Sequence, residues 1–237
     1  MRPSVWNYGL LGVGLGIYIA GFILGRPNAE LTHRSPTWAR MVNSAALVLA
    51  ALVWWRAVAV GTPFAGYAGF ILLGMACSFV GDLLMAQVIP LPAHPIPGIV
   101  AFGVAHIFYI LGSVQLGQAL GLTEGGVWAA SVVALELLGV VLWRTLIYSP
   151  SADPVLAYGA LAYALLLAGT TGATIALAIQ APRLTILAVG AVLFLLSDAI
   201  LGNRLLRDND WFMVGDVVWA IYIAGQSLIV FTLPAVL

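Results

Sequence analysis

The sequence predicts an all-α integral membrane protein with eight transmembrane helices. Of its 237 residues, 62% are hydrophobic and only 8% are charged, whereas soluble domains carry roughly 25% charged residues. A bilayer core ~30 Å thick needs ~20 apolar residues for each helical span. Eight such stretches fill almost the whole chain and leave no room for a soluble domain. They cover residues 5–25, 38–60, 64–87, 97–120, 125–148, 153–179, 183–203 and 213–236.

The connections between these spans carry the helix-breaking residues. Span one follows a single Arg2 and contains no small-residue cleavage site, so we interpret it as a retained span rather than a signal peptide. Lipid cannot satisfy free backbone groups, and connections must therefore lie at the membrane surfaces. In chain order, the prolines of the connections are Pro27, Pro36, Pro63, the run from Pro90 to Pro97, Pro150, Pro154 and Pro182.

The charges exclude one class of partner and indicate an orientation. Nine basic and nine acidic residues give no net charge, so no field attracts nucleic acid. One cysteine excludes an intrachain disulfide. Cytoplasmic connections are enriched in basic residues, and this predicts the odd-numbered connections inside. That side carries six arginines, Arg26, Arg34, Arg40, Arg144, Arg204 and Arg207, against Arg2, Arg56 and Arg183 on the other.

Two pairs of motifs indicate an internal repeat. Residues 79–85 at the end of span three match residues 195–201 at the end of span seven, and each contains one aspartate. Residues 107–112 of span four match residues 220–225 of span eight, and each contains one tyrosine. Because the matched spans lie four apart, the halves would run in the same direction, related by an axis along the membrane normal. The predicted parallel four-helix repeats are residues 1–124 and 125–237.

Asp82 and Asp198 are the strongest functional candidates. A charge at bilayer depth costs ~2.5–3.5 kcal/mol even on lenient insertion scales. Each aspartate precedes the end of its predicted span by about five residues, or ~8 Å of helical rise, on the odd-numbered side. One polar pocket in that leaflet would gather both. The alternative is structural: each aspartate reaches the headgroups or pairs with an arginine such as Arg204.

Other polar residues fall in the same half of the membrane. His106, Asn43, Tyr222 and Gln226 all lie near that depth. Each also has a structural interpretation, because buried histidines and amides often join neighbouring helices by hydrogen bonds. A three-histidine zinc site is excluded, since the other two histidines lie in connections. A His-Asp-Asp metal site is less favoured than metal-free acid–base chemistry, so we predict no metal and no cofactor.

The order and spacing of four motifs are similar to those of a known family. The motifs are Gly81-Asp82 in the third helix, Ala105-His106-x-x-Tyr109 in the fourth, Phe194-x-x-Ser197-Asp198 with Asn203 in the seventh, and Tyr222-x-x-x-Gln226 in the eighth. They resemble the YhhN-like transmembrane lysoplasmalogenases. These enzymes hydrolyse the vinyl-ether bond of lysoplasmalogens to a fatty aldehyde and glycerophosphoethanolamine or glycerophosphocholine. One departure concerns headgroup recognition: the family's usual Lys-Pro pair before the second helix is replaced by residues 39–43, Ala-Arg-Met-Val-Asn.

The resemblance implies a site, a substrate and a location. Asp82 and Asp198 would supply the acid and a stabilising anion, in either assignment, and His106 would orient a carboxylate or water. The expected partners are a lysophospholipid and the bilayer, with oligomeric state left open, and the expected location is a bacterial inner membrane. A small-solute or proton-coupled transporter and a non-catalytic scaffold are the alternatives; polar groups clustered in one leaflet favour the enzyme. The expected substrate-binding residues are Asn43, Tyr109, Asn203, Tyr222 and Gln226.

Overall fold

The computed structural model describes residues 3–236, and within that range the secondary structure is helical, without strands. Eight α-helices follow one another in the chain. They are α1 (Pro3–Leu24), α2 (Thr37–Trp54), α3 (Ala65–Met85), α4 (Ile96–Leu120), α5 (Gly125–Leu142), α6 (Pro154–Gln180), α7 (Thr185–Arg207) and α8 (Val214–Val230). Two of them continue into a π-helical turn, α2 through Trp55–Ala59 and α5 through Trp143–Ile147.

The predicted all-α membrane fold is confirmed, with two corrections at the C-terminal end. Seven helices are long and apolar enough to cross a membrane, whereas α8 is apolar but shorter. Its 17 residues span ~26 Å at the ~1.5 Å rise per residue of an α-helix. The predicted eighth span, 213–236, was therefore too long. The predicted seventh span ended at residue 203, but α7 continues to Arg207 because polar residues at a membrane surface do not stop a helix.

Local chemistry explains where the helices begin and end. The Asp153 side chain accepts a hydrogen bond from Leu156 N at 3.0 Å and caps α6, whose first residue is Pro154. At the other end of a helix, Gly121 terminates α4 with φ +69°, a left-handed conformation that glycine adopts without a steric penalty. Asp153 therefore sets the start of α6, and Gly121 sets the end of α4.

Consecutive helices pair, and the pairs close into one bundle. The pairs are α1 with α2, α3 with α4, α5 with α6, and α7 with α8; in addition α4 packs on α6, and α8 packs on α2 and α3. The α7 and α8 backbones approach closely at two glycines, where a Cβ on Gly190 would lie 2.8 Å from the Gly225 carbonyl oxygen. The two parallel halves remain a prediction.

The α1–α2 connection is bound to the start of α8. Asp216 accepts hydrogen bonds from the backbone N–H groups of Arg34 at 2.5 Å and Ser35 at 3.0 Å. Gly215 N–H donates to the Thr32 carbonyl at 2.7 Å. The first and last helical pairs are therefore joined across the end of the bundle that carries the odd-numbered connections.

Candidate functional site

A cavity of about 450 Å³ opens at that end of the bundle. Residues of α2, α3, α4, α7 and α8 line it, together with one histidine from each of the first and third connections. Asp82 and Asp198 both line this cavity, so the structure places them together as expected. The charged and hydroxyl side chains that line it include Arg40, Asp82, Asp198, Arg204 and Tyr222.

Asp82 lies in the last turn of α3 and is only 4% exposed. Its Oδ2 accepts hydrogen bonds from the Ser44 hydroxyl of α2 and, at 3.0 Å, from the Tyr222 hydroxyl of α8. The preceding Gly81 allows this arrangement, because a Cβ there would stand 2.8 Å from the ring of Phe102. In the Gly-Asp motif, the aspartate thus supplies a buried carboxyl group, and the glycine leaves space for the Phe102 ring that lines the cavity.

Asp198 lies in α7 at the junction of two cavities. Its Oδ2 accepts a hydrogen bond from the Tyr163 hydroxyl of α6. Its Oδ1 lies 3.0 Å from the Ser197 hydroxyl, which also donates to the Phe194 carbonyl at 2.8 Å. Besides the open cavity, Asp198 lines an apolar chamber of about 70 Å³ between α4, α5, α6 and α7. One carboxylate thus faces water on one side and an apolar space on the other.

His106 reaches Asp198 through Tyr163. The imidazole is fully buried, with Nε2 3.2 Å from the Tyr163 hydroxyl and Nδ1 3.1 Å from the Thr170 hydroxyl. The single Tyr163 proton goes to Asp198, so His106 Nε2 must be the donor to Tyr163. Nδ1 then carries no proton, and the Thr170 hydroxyl beside it also donates to the Leu166 carbonyl at 3.0 Å. This assigns the Nε2–H tautomer to a neutral imidazole that orients the tyrosine.

A second hydrogen-bond chain lies behind Asp82. The Tyr109 hydroxyl donates to Gln226 Oε1 at 2.8 Å, and Gln226 Nε2 donates to the Tyr222 hydroxyl at 3.3 Å. Tyr109 packs where α3 carries Gly74, since a Cβ on that residue would overlap the tyrosine ring. Tyr109 and Gln226 therefore orient Tyr222, and through it Asp82, without lining the cavity.

The structure places two of the expected substrate-binding residues outside the cavity. Neither Asn43 nor Asn203 lines the cavity. Asn43 is buried against α1, its Oδ1 3.1 Å from where a Cβ on Gly14 would stand. The Asn203 amide donates to the Leu146 carbonyl at 2.5 Å. Both asparagines join helices, because each projects from a face of its helix that the depth along the chain does not reveal.

Tyr109 and Gln226, which were expected to bind substrate, are buried behind the lining residues. His106, which was expected to orient a carboxylate or water, is buried there as well. Sequence reasoning missed two hydroxyls that contact the aspartates, Ser44 and Tyr163. A depth comparison would not have found Tyr163, because it lies ten residues after the start of the predicted span 153–179, whereas Asp198 lies five residues before the end of the predicted span 183–203.

Among the residues that the structure describes, no three His, Cys, Asp or Glu side chains come close enough to hold a metal ion. Asp82 and Asp198 are instead hydrogen-bonded to hydroxyl groups, and His106 is bonded to two more. The arrangement fits proton transfer and charge stabilisation by carboxyl groups.

Comparison with known proteins decides the family. The model of the YhhN family matches residues 17–233, nearly the whole chain and all the site residues named above. The chain belongs to the YhhN family. YhhN proteins are the lysoplasmalogenase family, so the resemblance seen in the motifs is confirmed. At family level, membership indicates a lysoplasmalogenase-type hydrolase, and the apolar helices indicate a multi-pass integral membrane protein. No curated protein and no solved structure matches this YhhN chain.

Proposed function

We propose that this YhhN protein hydrolyses the vinyl-ether bond of lysoplasmalogens, giving a fatty aldehyde and glycerophosphoethanolamine or glycerophosphocholine. The observation that carries the proposal is the position of Asp82 and Asp198 in one cavity, with an apolar chamber on the far side of Asp198. A lysolipid has the same division, with a polar headgroup, a reactive ether and an apolar chain.

The reaction needs one acid and one anion. Protonation of the vinyl-ether β-carbon gives an oxocarbenium ion, and water adds to its carbon and loses a proton, forming a hemiacetal. The hemiacetal then breaks its bond to the glycerol oxygen, which takes up a proton, and the aldehyde is released. Two carboxyl groups that share a site in low dielectric do not both ionise readily. One is then available as the acid and the other as the stabilising anion.

The hydrogen bonds favour one assignment of these roles. Asp82 accepts both of its hydrogen bonds on Oδ2, which leaves Oδ1 free to carry the proton. Asp198 accepts a hydrogen bond from the Tyr163 hydroxyl on Oδ2, as an ionised carboxylate does, and its Oδ1 shares the single Ser197 proton with the Phe194 carbonyl. We therefore assign Asp82 as the acid and Asp198 as the anion that stabilises the cation. Tyr163 and His106 hold Asp198 in place.

A transporter fits the arrangement less well. Alternating access places the binding site near the membrane midplane, between two repeats that rock. Here both aspartates line a cavity that also contains residues of the α1–α2, α3–α4 and α7–α8 connections, at one end of the bundle. A cavity at this position suits a substrate that lies in one leaflet.

The test is release of fatty aldehyde from a vinyl-ether lysolipid by the purified chain. Asp82→Asn and Asp198→Asn should each lower kcat by ~10²-fold or more, because each removes an acid or a stabilising charge while keeping the size of the side chain. Asp153→Asn is the matched control, since asparagine also caps a helix. If the wild-type chain releases no aldehyde, or either site variant turns over normally while folded, the proposal is wrong.

A further inference from the structure

The cavity contains one cationic side chain without an anionic partner. Arg204 forms an ion pair with Asp210, whereas Arg40 forms none among residues 3–236. The Arg40 guanidinium lies 5.8 Å from the centre of the Trp219 ring and makes one long hydrogen bond, from Nη2 to Thr37 Oγ1 at 3.4 Å. Its Nε has no hydrogen-bond partner.

A second donor of the cavity wall is also unpaired. Trp219 is 8% exposed, lines the same cavity as Arg40, and its indole Nε1 has no hydrogen-bond partner. A buried donor without a partner costs ~1–3 kcal/mol. Both unpaired nitrogens are buried from the cavity, so the outer Nη groups of Arg40 are the donors that can reach a ligand there. A fork of guanidinium donors is the group that best matches the oxygens of a phosphate.

We infer that Arg40, supported by Trp219, binds the phosphodiester of a lysophospholipid headgroup. The inference rests on the proposed function, which makes a lysophospholipid the ligand. It identifies Arg40 as the residue that recognises the phosphate of that ligand. Two other basic groups of the cavity are less suited to this role. Burial lowers the pKa of His33 below its usual value, and the Arg40 charge adds to that effect, so His33 is neutral at pH 7. Arg204 is already paired.

The acidic residues of the cavity favour a zwitterionic headgroup over a free anion. Four aspartates line it, Asp82, Asp198, Asp208 and Asp210, against two arginines. With Asp82 protonated, the other three aspartates still outnumber the two arginines. This excess of negative charge repels an inorganic phosphate dianion, whereas the ammonium of a phosphoethanolamine or phosphocholine group offsets it. We therefore expect the site to bind the phosphate of a lipid headgroup rather than free inorganic phosphate.

The inference is tested by equilibrium binding of uncleavable ligands to the detergent-purified full chain. The probes are a 1-O-alkyl lysophosphoethanolamine, the 1-O-alkylglycerol of the same chain length, glycerophosphoethanolamine and inorganic phosphate. Wild type should bind the lysolipid at least ~10-fold more tightly than the alkylglycerol, the size of one charge-assisted contact. Arg40→Gln should remove that difference, and Trp219→Phe should reduce it several-fold. The control is Arg56→Gln. Arg56 is exposed and lies in the π-helical turn that follows α2, whereas Arg40 lies at the start of α2.

Three results would overturn the inference. They are equal affinity of wild type for the two alkyl lipids, a loss in Arg40→Gln that is the same for both lipids, and binding of either soluble phosphate compound as tightly as the lysolipid. If Arg40→Gln does not fold, Trp219→Phe carries the comparison. Binding does not require turnover. Phosphate-dependent binding without aldehyde release would therefore contradict the proposed function and support the role of Arg40.

Discussion

The Tyr163 hydroxyl connects His106 to Asp198. It donates to Asp198 and accepts from His106 Nε2 at 3.2 Å. Tyr163→Phe removes only this oxygen and leaves the ring in place. A hydrogen bond to a charged group contributes ~1.5–3 kcal/mol, and each ~1.4 kcal/mol is tenfold in rate. We therefore expect kcat for aldehyde release to fall ~10- to 150-fold, with KM changed little.

The same substitution also has a cost in stability. It leaves the buried Nε2–H of His106 without an acceptor, which should lower the free energy of unfolding by ~1–3 kcal/mol. Thermal unfolding monitored by circular dichroism in detergent measures that loss. Tyr158→Phe is the control, because Tyr158 lies on the same helix and is 59% exposed. A folded Tyr163→Phe variant with kcat within twofold of wild type would refute the role given to this network.

The remaining predictions concern the scaffold and the chemistry. Asp216→Asn should lower the unfolding free energy by ~1.5–3 kcal/mol, because it weakens the bonds from the backbone of Arg34 and Ser35; a thermal midpoint equal to that of the exposed Asp208→Asn would contradict this. Chelator treatment should leave aldehyde release unchanged, and His106→Gln should impair it less than either Asp→Asn change, because the proton and the counter-charge remain. Stoichiometric zinc that is lost together with activity on chelation, and restored with it, would show that this prediction is wrong.

The aspartates could be predicted because an ionisable side chain in an apolar span is conspicuous wherever it faces. Asp82 and Asp198 lie in spans of the same direction, and that alone placed them at one end of the bundle. The role of neutral polar residues depends on which neighbour each helix face meets. Asn43 and Gln226 have similar depths and chemistry, yet Asn43 faces α1 and Gln226 joins the Asp82 network.

The Ser44 and Tyr163 hydroxyls were not predicted either, because the sequence does not show which neighbour each helix face contacts. Ser44 lies one residue after Asn43, and that step of about 100° turns it from α1 toward Asp82. Tyr163 stands in a helix that the motif comparison did not include. Span boundaries were predictable where a proline interrupts the chain. The end of α7 was not, because residues 204–207 continue the helix beyond the apolar stretch.

The bonds between the α1–α2 connection and α8 bear on how the protein is made. A chain emerges from the ribosome with its N-terminal part first, so Asp82 and Arg40 are inserted long before their partners. Tyr222, which bonds to Asp82, Trp219, which lies beside Arg40, and Asp216 all belong to the last helix. During synthesis the seven earlier helices can pair, but the site has no complete wall. The wall of the cavity is therefore complete only once α8 is in place.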